Sequence, residues 1–502
     1  MSAATPEPSV QAAVVVGAGI SGLLAALELA KAGRDVTVLE AADAWGGCVG
    51  SHVVGGLTLD SGAESFATRS SAVADLAAEL GLAGNIVAPQ PGGAWVQLPE
   101  GARELPKTGV LGIPANPWDP EVRRTLGLAG SLRASLDRFL PASAGTRVAV
   151  TNVSALVRLR MGRRVLERLV EPVVGGVHSA DPALLDVDMV APGLRAGIRT
   201  HGSLAAAVAA QRRSRPARQD QQGHAAGGSL PATQPAKAGS AVAGLQGGMH
   251  TLITALVAEL GRRGVKLLSG TRADAVNRTA DGWRVSAAYK TFDSGLLVVA
   301  LDGPSAVGLL EGAVPDLAPL RPGAGPDVKL VTLVVDLPDL DRRPRGTGIL
   351  VAPQTPGVQA KALTHATAKW DWLAAAAGPG THVVRLSYGR GEEAGEGGRE
   401  APAALGSAGS RNADSELLES ALRDASALLT VPVTSHDVLD WDVVSWGGVL
   451  PFAAVGHRQR VAQVRRICAA QGGLVLVGGW LAGNGLAAVV ADTRKQLADV
   501  LH

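Results

Sequence analysis

The stretch Val14–Gly47, VVVGAGISGLLAALELAKAGRDVTVLEAADAWGG, decides how this chain is read. The apolar residues Val14–Val16 end a buried-strand pattern and run into Gly17-Ala18-Gly19-Ile20-Ser21-Gly22. A helical pattern follows, then a second strand, Asp35–Leu39, which closes on Glu40. Each part meets a requirement of dinucleotide binding. Gly17 permits a tight turn, Gly19 lets the backbone approach a pyrophosphate, and Gly22 lets the helix pack closely on the strand. The helix N-terminus offers unpaired N–H groups and a partial positive charge to an anion. Glu40, roughly 20 residues further on, is placed to accept hydrogen bonds from ribose hydroxyls.

In a chain with 64 glycines the six-residue motif alone is weak, and a glycine-rich turn that binds nothing would look the same. The preceding strand, the following helix and the spaced acid raise its weight. After Glu40 the chain continues Ala41-Ala42-Asp43-Ala44-Trp45-Gly46-Gly47. This second glycine pair brings more backbone against a cofactor, as in two-domain flavoproteins, so the expected dinucleotide is FAD rather than NAD.

The 502 residues suffice for two or three domains with a sizeable core. Lys plus Arg is 47 against 45 for Asp plus Glu, so no basic excess points to nucleic acid. The basic clusters at Arg158–Arg168 and Gln211–Arg218 read as solvated faces or loops. Cys48 and Cys468 are the only cysteines and form neither a zinc pattern nor a disulfide framework, which fits a reducing cytosol. No His/Asp/Glu cluster has metal-ligand spacing. Wholly apolar runs such as Leu296–Leu301 fall far short of the roughly 20 residues that cross a bilayer. The opening residues MSAATPEPS lack the form of a signal peptide. A soluble, cytoplasmic protein without a transmembrane segment is expected.

Beyond the opening unit, SAVADLAAEL (Ser71–Leu80) has helical spacing and stops at Gly81. Pro- and Gly-rich loops lead into a helical module over about 121–210. Residues 212–240 and 391–414 are polar, low in periodic apolar residues and expected to be mobile loops. Gly244–Met249 opens a helix through Leu260. The runs Val265–Leu268, Ala273–Asn277, Trp283–Ala287 and Asp293–Leu301 read as strands returning to the nucleotide-binding sheet. Lys329–Asp336 and His382–Tyr388 suit a second sheet, and Gly473–Leu501 a closing strand, glycine turn and helix.

The expected fold is therefore α/β: a Rossmann-like FAD-binding domain, a discontinuous mixed-sheet substrate domain and a mostly helical insertion. The FAD-binding domain takes residues 10–70, 244–303 and 441–502. Residues 71–243 form the substrate and helical domain, and 304–440 the substrate-domain sheet.

Several segments resemble the FAD-dependent protoporphyrinogen and coproporphyrinogen III oxidases, within the amine oxidase-like flavoproteins. The resemblance covers nearly the whole chain except the two polar loops. Asp60–Phe66 (DSGAESF) resembles the family's GAESF segment beside the flavin, and Leu166–Asp181 (LERLVEPVVGGVHSAD) its EP-x-x-GGV segment. Gly348–Pro353 (GILVAP) with Lys361–Trp370 (KALTHATAKW), and Trp446–His457 (WGGVLPFAAVGH), are similar to two more. The closing segment Gly483-Asn484-Gly485-Leu486-Ala487 departs from the family's GVGIP, with Ala487 in place of proline.

The resemblance implies flavin contacts from Gly17, Ala18, Gly19, Ile20, Ser21, Gly22, Glu40, Ala41, Gly46, Gly47 and Cys48, the last through its backbone. It adds Gly62, Ala63, Glu64 and Ser65, then Gly485, Leu486 and Ala487, with Ala273 reading the adenine. Trp446 would either flank the isoalloxazine or pack in the core. Arg69 would grip a substrate propionate with two parallel hydrogen bonds, or else cap its own loop. Gly176 and Val177 would line the substrate side.

Glu64 reads as a structural hydrogen-bonding group rather than a base, and His178 and His457 as satisfied structural histidines. The chemistry belongs to the flavin, so no catalytic side chain is named. The implied activity is oxidation of coproporphyrinogen III to coproporphyrin III in haem biosynthesis, with molecular oxygen as acceptor and hydrogen peroxide as product. Protoporphyrinogen IX is the alternative substrate. An amine oxidase, a carotenoid desaturase or a non-catalytic FAD-binding protein remain further readings, and the next haem-pathway enzyme is a candidate transient partner.

Overall fold

The computed structural model describes residues 11–106, 109–146, 152–178, 180–213, 242–389, 411–448, 454–483 and 485–501. Its centre is a five-stranded parallel sheet in the order Lys266–Leu268, Asp35–Leu39, Ala12–Val16, Leu296–Val299, Leu474–Leu476. The strands are near-continuous apolar runs because both faces are covered. On one face Ala13, Val15, Val36, Val38, Val298 and Val475 pack against the helices Ile20–Lys31, His250–Arg262 and Leu486–Leu501. On the other, Val14, Val16, Leu297, Val299 and Leu476 meet the helices Gly303–Leu310 and His457–Ala470.

Two of the four runs between Val265 and Leu301 join this sheet, through Lys266–Leu268 and Leu296–Val299. The other two do not. Ala275–Thr279 and Gly282–Ala287, with Lys290–Ser294, form a separate three-stranded antiparallel sheet. Connections of two residues allow only antiparallel pairing, whereas a parallel neighbour needs a long crossover. That sheet buries one face, with Val276, Trp283 and Val285 against the parallel sheet.

A seven-stranded mixed sheet forms the second half, in the order Val438–Trp446, Val328–Asp336, Thr381–Tyr388, Ala362–His365, Gly348–Val351, Ala94–Leu98, Gly101–Glu104. The helix Arg411–Leu429 covers one face through Ala421, Ala425 and Leu428. The hairpin Ser51–Val54/Leu57–Asp60 lies against Val334 and Val383 on the other. Its grip is polar as well: His52 Nδ1 is 2.6 Å from Asp442 Oδ2, and Gly55 N donates to Asp440 Oδ2 at 2.6 Å. A helical module between Pro120 and Arg213 has its own core of Leu126, Leu156, Val165, Leu169, Ile198 and Val208.

The expected domain limits shift at several places. Helix Ala72–Glu79 packs through Val73, Leu76 and Ala77 into the parallel-sheet core, although residues 71–243 were assigned elsewhere. Helix Gly303–Leu310 does the same on the opposite face, past the expected end at 303. Strand Val438–Trp446 crosses the expected boundary between 440 and 441 without a break. Both polar segments are shorter than expected: residues 212–213 end the helix Leu204–Arg213, and 411–414 begin Arg411–Leu429. The remainder of 212–240 and of 391–414 lies outside the described residues. Among the described residues no helix is long and apolar enough to cross a membrane.

Candidate functional site

The glycine turn is built as its chemistry requires. Gly17 has φ +96° and donates its N–H to Leu39 O at 2.8 Å, closing the turn between the two strands. At Gly22 a Cβ would stand 1.8 Å from Gly17 O, so the helix starts directly beneath the turn. Gly19 is different: it is the N-cap of helix Ile20–Lys31, no side chain caps it, and a Cβ there would meet nothing within 4 Å. The helix end is thus open at Gly19, with Ala18, Ile20 and Ser21 buried around it.

The second glycine pair completes the cradle. Gly46 N donates to Ala18 O at 2.9 Å, and a Cβ on Gly47 would lie 3.4 Å from Gly19 Cα. The two glycine segments therefore make one wall of bare backbone. Glu40 turns its carboxylate to that wall, accepting from Ala18 N at 2.7 Å and from Ala42 N at 2.9 Å, while Ala41 is exposed. Thr271 N donates to Glu40 O at 2.7 Å, which sets half-buried Ala273 on the same side. An uncapped helix end, open glycines and a carboxylate at the far side suit a pyrophosphate and its ribose.

Next comes the turn after the hairpin. Cys48 O accepts from Ala63 N at 2.8 Å, and a Cβ on Gly62 would come within 2.3 Å of that same oxygen. Burial pushes the Cys48 thiol upward, so it stays protonated. Trp446 Nε1 donates to Ser61 O at 3.0 Å, and its ring lies 3.3 Å from the place of a Gly62 Cβ. Arg385 Nη1 donates to Asp60 O at 3.1 Å and to Gly62 O at 2.9 Å. The turn from Asp60 to Glu64 is thus wrapped around one guanidinium.

Glu64 is only 15% exposed and accepts from Lys369 Nζ at 2.6 Å, with Arg385 Nη2 2.9 Å away. Burial raises its pKa, but Arg385 and Lys369 together outweigh burial and hold it at about 2. A carboxylate held by two cations is an anchor and a poor base. Ser65 is half-buried beyond it, and Ala63 packs into the core shared by the first and closing helices.

The closing segment brings a second glycine-bearing helix end to that core. Gly483 and Gly485 have φ +95° and +107° with open space around both, and Leu486 and Ala487 are buried in the same core as Ile20. Asn484 lies outside the described residues. His457 is buried, its Nε2 is 2.6 Å from Trp480 O, and burial lowers its pKa, so it is a neutral donor holding this segment.

The substrate-side residues are less gathered. Arg69 is exposed in the loop between Phe66–Ala67 and helix Ala72–Glu79. Gly176 lies in helix Glu171–His178 where a Cβ would reach 2.5 Å from the Leu350 side chain, so the helical module touches the seven-stranded sheet there. Val177 is the next residue of that helix. Sequence reasoning missed Lys369 and Arg385. The signal for Arg385 was a cation inside the apolar strand Thr381–Tyr388, and for Lys369 the quoted KW pair.

Comparison with known proteins agrees with this geometry. The profile of the family described as flavin containing amine oxidoreductase matches residues 20–493. The chain is 29% identical to a coproporphyrinogen III oxidase of Propionibacterium freudenreichii subsp. freudenreichii, covering 99% of this chain and 92% of that one. Identity is also 29% to the enzyme of that name from Mycobacterium leprae, covering 96% of each. A shorter match, 31% identical over 38% of this chain and 37% of the relative, is to protoporphyrinogen oxidase 2 of Arabidopsis thaliana. Among solved structures, a putative protoporphyrinogen oxidase from Exiguobacterium sp. 255-15 superposes with a TM-score of 0.76 at 23% identity, covering 98% and 99% of the two chains. The chain belongs to the flavin-containing amine oxidoreductase family, and is an FAD-dependent oxidoreductase.

Proposed function

We propose that this protein oxidises coproporphyrinogen III to coproporphyrin III in the cytoplasm, with molecular oxygen as acceptor. Six hydrogens leave the macrocycle and three oxygen molecules take them up as three hydrogen peroxides, so atoms and electrons balance. The single observation that carries the reading is the similarity to coproporphyrinogen III oxidases along almost the entire chain. The Asp60–Phe66 turn, anchored by Lys369 of the KW segment, agrees with it.

FAD, when bound, supplies two-electron acceptance and reoxidation by oxygen. The chain's own residues then bind and orient. Gly17–Gly22 present the helix end to the pyrophosphate, and Gly46 and Gly47 extend the bare wall. Glu40 offers acceptors to the ribose. Gly62–Ser65, held by Arg385 and Lys369, would hold the flavin together with Cys48, Trp446 and Gly485–Ala487. Ala273 reads the adenine through its backbone. Exposed Arg69 is free to reach a propionate, and Gly176 and Val177 line the substrate side. Transient contact with the next haem-pathway enzyme would receive the product.

The test is a pair of initial rates on the FAD-loaded protein, with coproporphyrinogen III and protoporphyrinogen IX under identical conditions, following porphyrin fluorescence and peroxide. A faster rate with coproporphyrinogen III and three peroxides per porphyrin are expected. A faster rate with protoporphyrinogen IX, the substrate suggested by the shorter Arabidopsis match, would reverse the choice of substrate. Full FAD occupancy without turnover of either would overturn the reading.

A further inference from the structure

Between the hairpin, the seven-stranded sheet and the helix Asp371–Ala377 lies a cavity of about 30 Å³ whose lining includes Glu64, Thr332, Trp370, Trp372 and Arg385. Thr332 is 2% exposed on strand Val328–Asp336. Its Oγ1 and the Trp372 Nε1 are both buried without a hydrogen-bond partner from the protein. Buried polar atoms are rarely left unpaired, and two around one cavity point to an occupant. We infer that this cavity is a binding site for buried water, bridging Thr332 and Trp372 to the Glu64–Arg385 ion pair.

The donor set selects water over other occupants. Trp372 and Arg385 can only donate, while ionised Glu64 can only accept. The occupant must therefore accept from one side and donate to the other, which a water molecule does. A small cation would face Arg385 and an anion would face the Glu64 carboxylate. An apolar occupant would leave both orphans unpaired. The volume admits on the order of one or two waters, and the polar partners are enough to hold them. The water ties strand Val328–Asp336 and helix Asp371–Ala377 to the turn that Arg385 organises, so it is a structural ligand of the junction between the two halves. The inference is independent of which substrate is oxidised.

Thr332→Val distinguishes a wet cavity from a dry one by sign. Valine is close in shape and suits a strand. In a dry cavity it removes an unpaired hydroxyl, so the thermal midpoint should rise or hold. In a wet cavity it strips a partner from the water, so the midpoint should fall. A fall is expected, as it is for Trp372→Phe. The double variant should lose less than the sum of the two, because both side chains hold the same water. A crystal structure of the FAD-loaded protein should show density within hydrogen-bond distance of Thr332 Oγ1 and Trp372 Nε1. A raised or unchanged midpoint for Thr332→Val, additive losses, or a cavity without density would overturn the inference.

Discussion

At Gly22 an added methyl would stand 1.8 Å from a backbone oxygen, whereas at Gly19 it would meet nothing within 4 Å. The two substitutions should therefore separate folding from binding. Gly22→Ala forces the turn apart and should cost about 1–3 kcal/mol of stability. Gly19→Ala keeps an extended backbone that alanine tolerates, at φ −66° and ψ 176°, and should leave apoprotein stability within about 0.5 kcal/mol. Its methyl occupies the approach to the pyrophosphate, so FAD affinity should fall about tenfold, about 1.4 kcal/mol. Apoprotein melting and FAD titration measure both; equal effects on both quantities would sink the assignment of roles.

Glu64 makes a pH-dependent case at the same scale. Its folded pKa of about 2 lies below the ordinary 4.5, so its contribution is complete above about 4.5 and is lost as pH falls from there to about 2. Glu64→Gln leaves Lys369 and Arg385 under-compensated and should cost about 3 kcal/mol at neutral pH. The gap to the parent should narrow through that acid window, and a gap constant from pH 6 to 3 would refute the ion-pair account. The partners of Glu64 were not legible beforehand. They lie 305 and 321 residues away in sequence, and a long-range ion pair leaves no local pattern. Glu40 was legible because its spacing from the turn is itself the signal.

Among the elements, helix His250–Arg262 starts at a carboxylate brought from far away. Asp60 Oδ2 accepts from Met249 N and Oδ1 from His250 N, both at 2.9 Å, and His250 Nδ1 is 3.0 Å from Oδ1. This satisfies two orphan donors and sets a negative charge at the positive helix end. Asp60→Ala should cost about 1–2 kcal/mol in thermal or denaturant unfolding of the apoprotein. An unchanged midpoint would show that solvent serves those donors as well. The helix could be placed from its own apolar spacing, but its cap could not, because no capping side chain stands next to it in sequence. The same contrast holds for strands. Lys266–Leu268 and Leu296–Val299 were recognised as β runs and joined the expected sheet. Ala275–Thr279 and Gly282–Ala287 were also recognised as β runs but went elsewhere, since short turns dictate pairing that composition does not show. Ala94–Leu98 and Gly101–Glu104 carry no strand signal of their own, and they gain their strand character as the end of the seven-stranded sheet.

At the scale of the whole molecule, three histidines that are buried among the described residues shape how stability should vary with pH. His365 Nε2 is 3.0 Å from His382 Nδ1, and His382 Nε2 is 3.1 Å from Asp341. Burial lowers His365 to about 3, helped by His382 and Arg343. Burial lowers His382 as well, despite Asp341, and lowers His457 despite the Trp480 carbonyl. The unfolded chain takes up these protons near pH 6.5, while the folded chain resists. Stability should therefore decline as pH falls below about 6.5, by up to about 1.4 kcal/mol per pH unit for each histidine that stays neutral. The His365 contribution should stop growing near pH 3, and Glu64 adds its own loss below 4.5. Replacing the pair together, as His365→Gln with His382→Gln, removes two of the three groups. Such a protein should be weaker at pH 7.5 because its buried hydrogen bonds are altered, yet its midpoint should fall less steeply on acidification. The two melting curves should converge between pH 6.5 and 4; parallel decline across that range would mean that the acid sensitivity arises outside the His365–His382 pair.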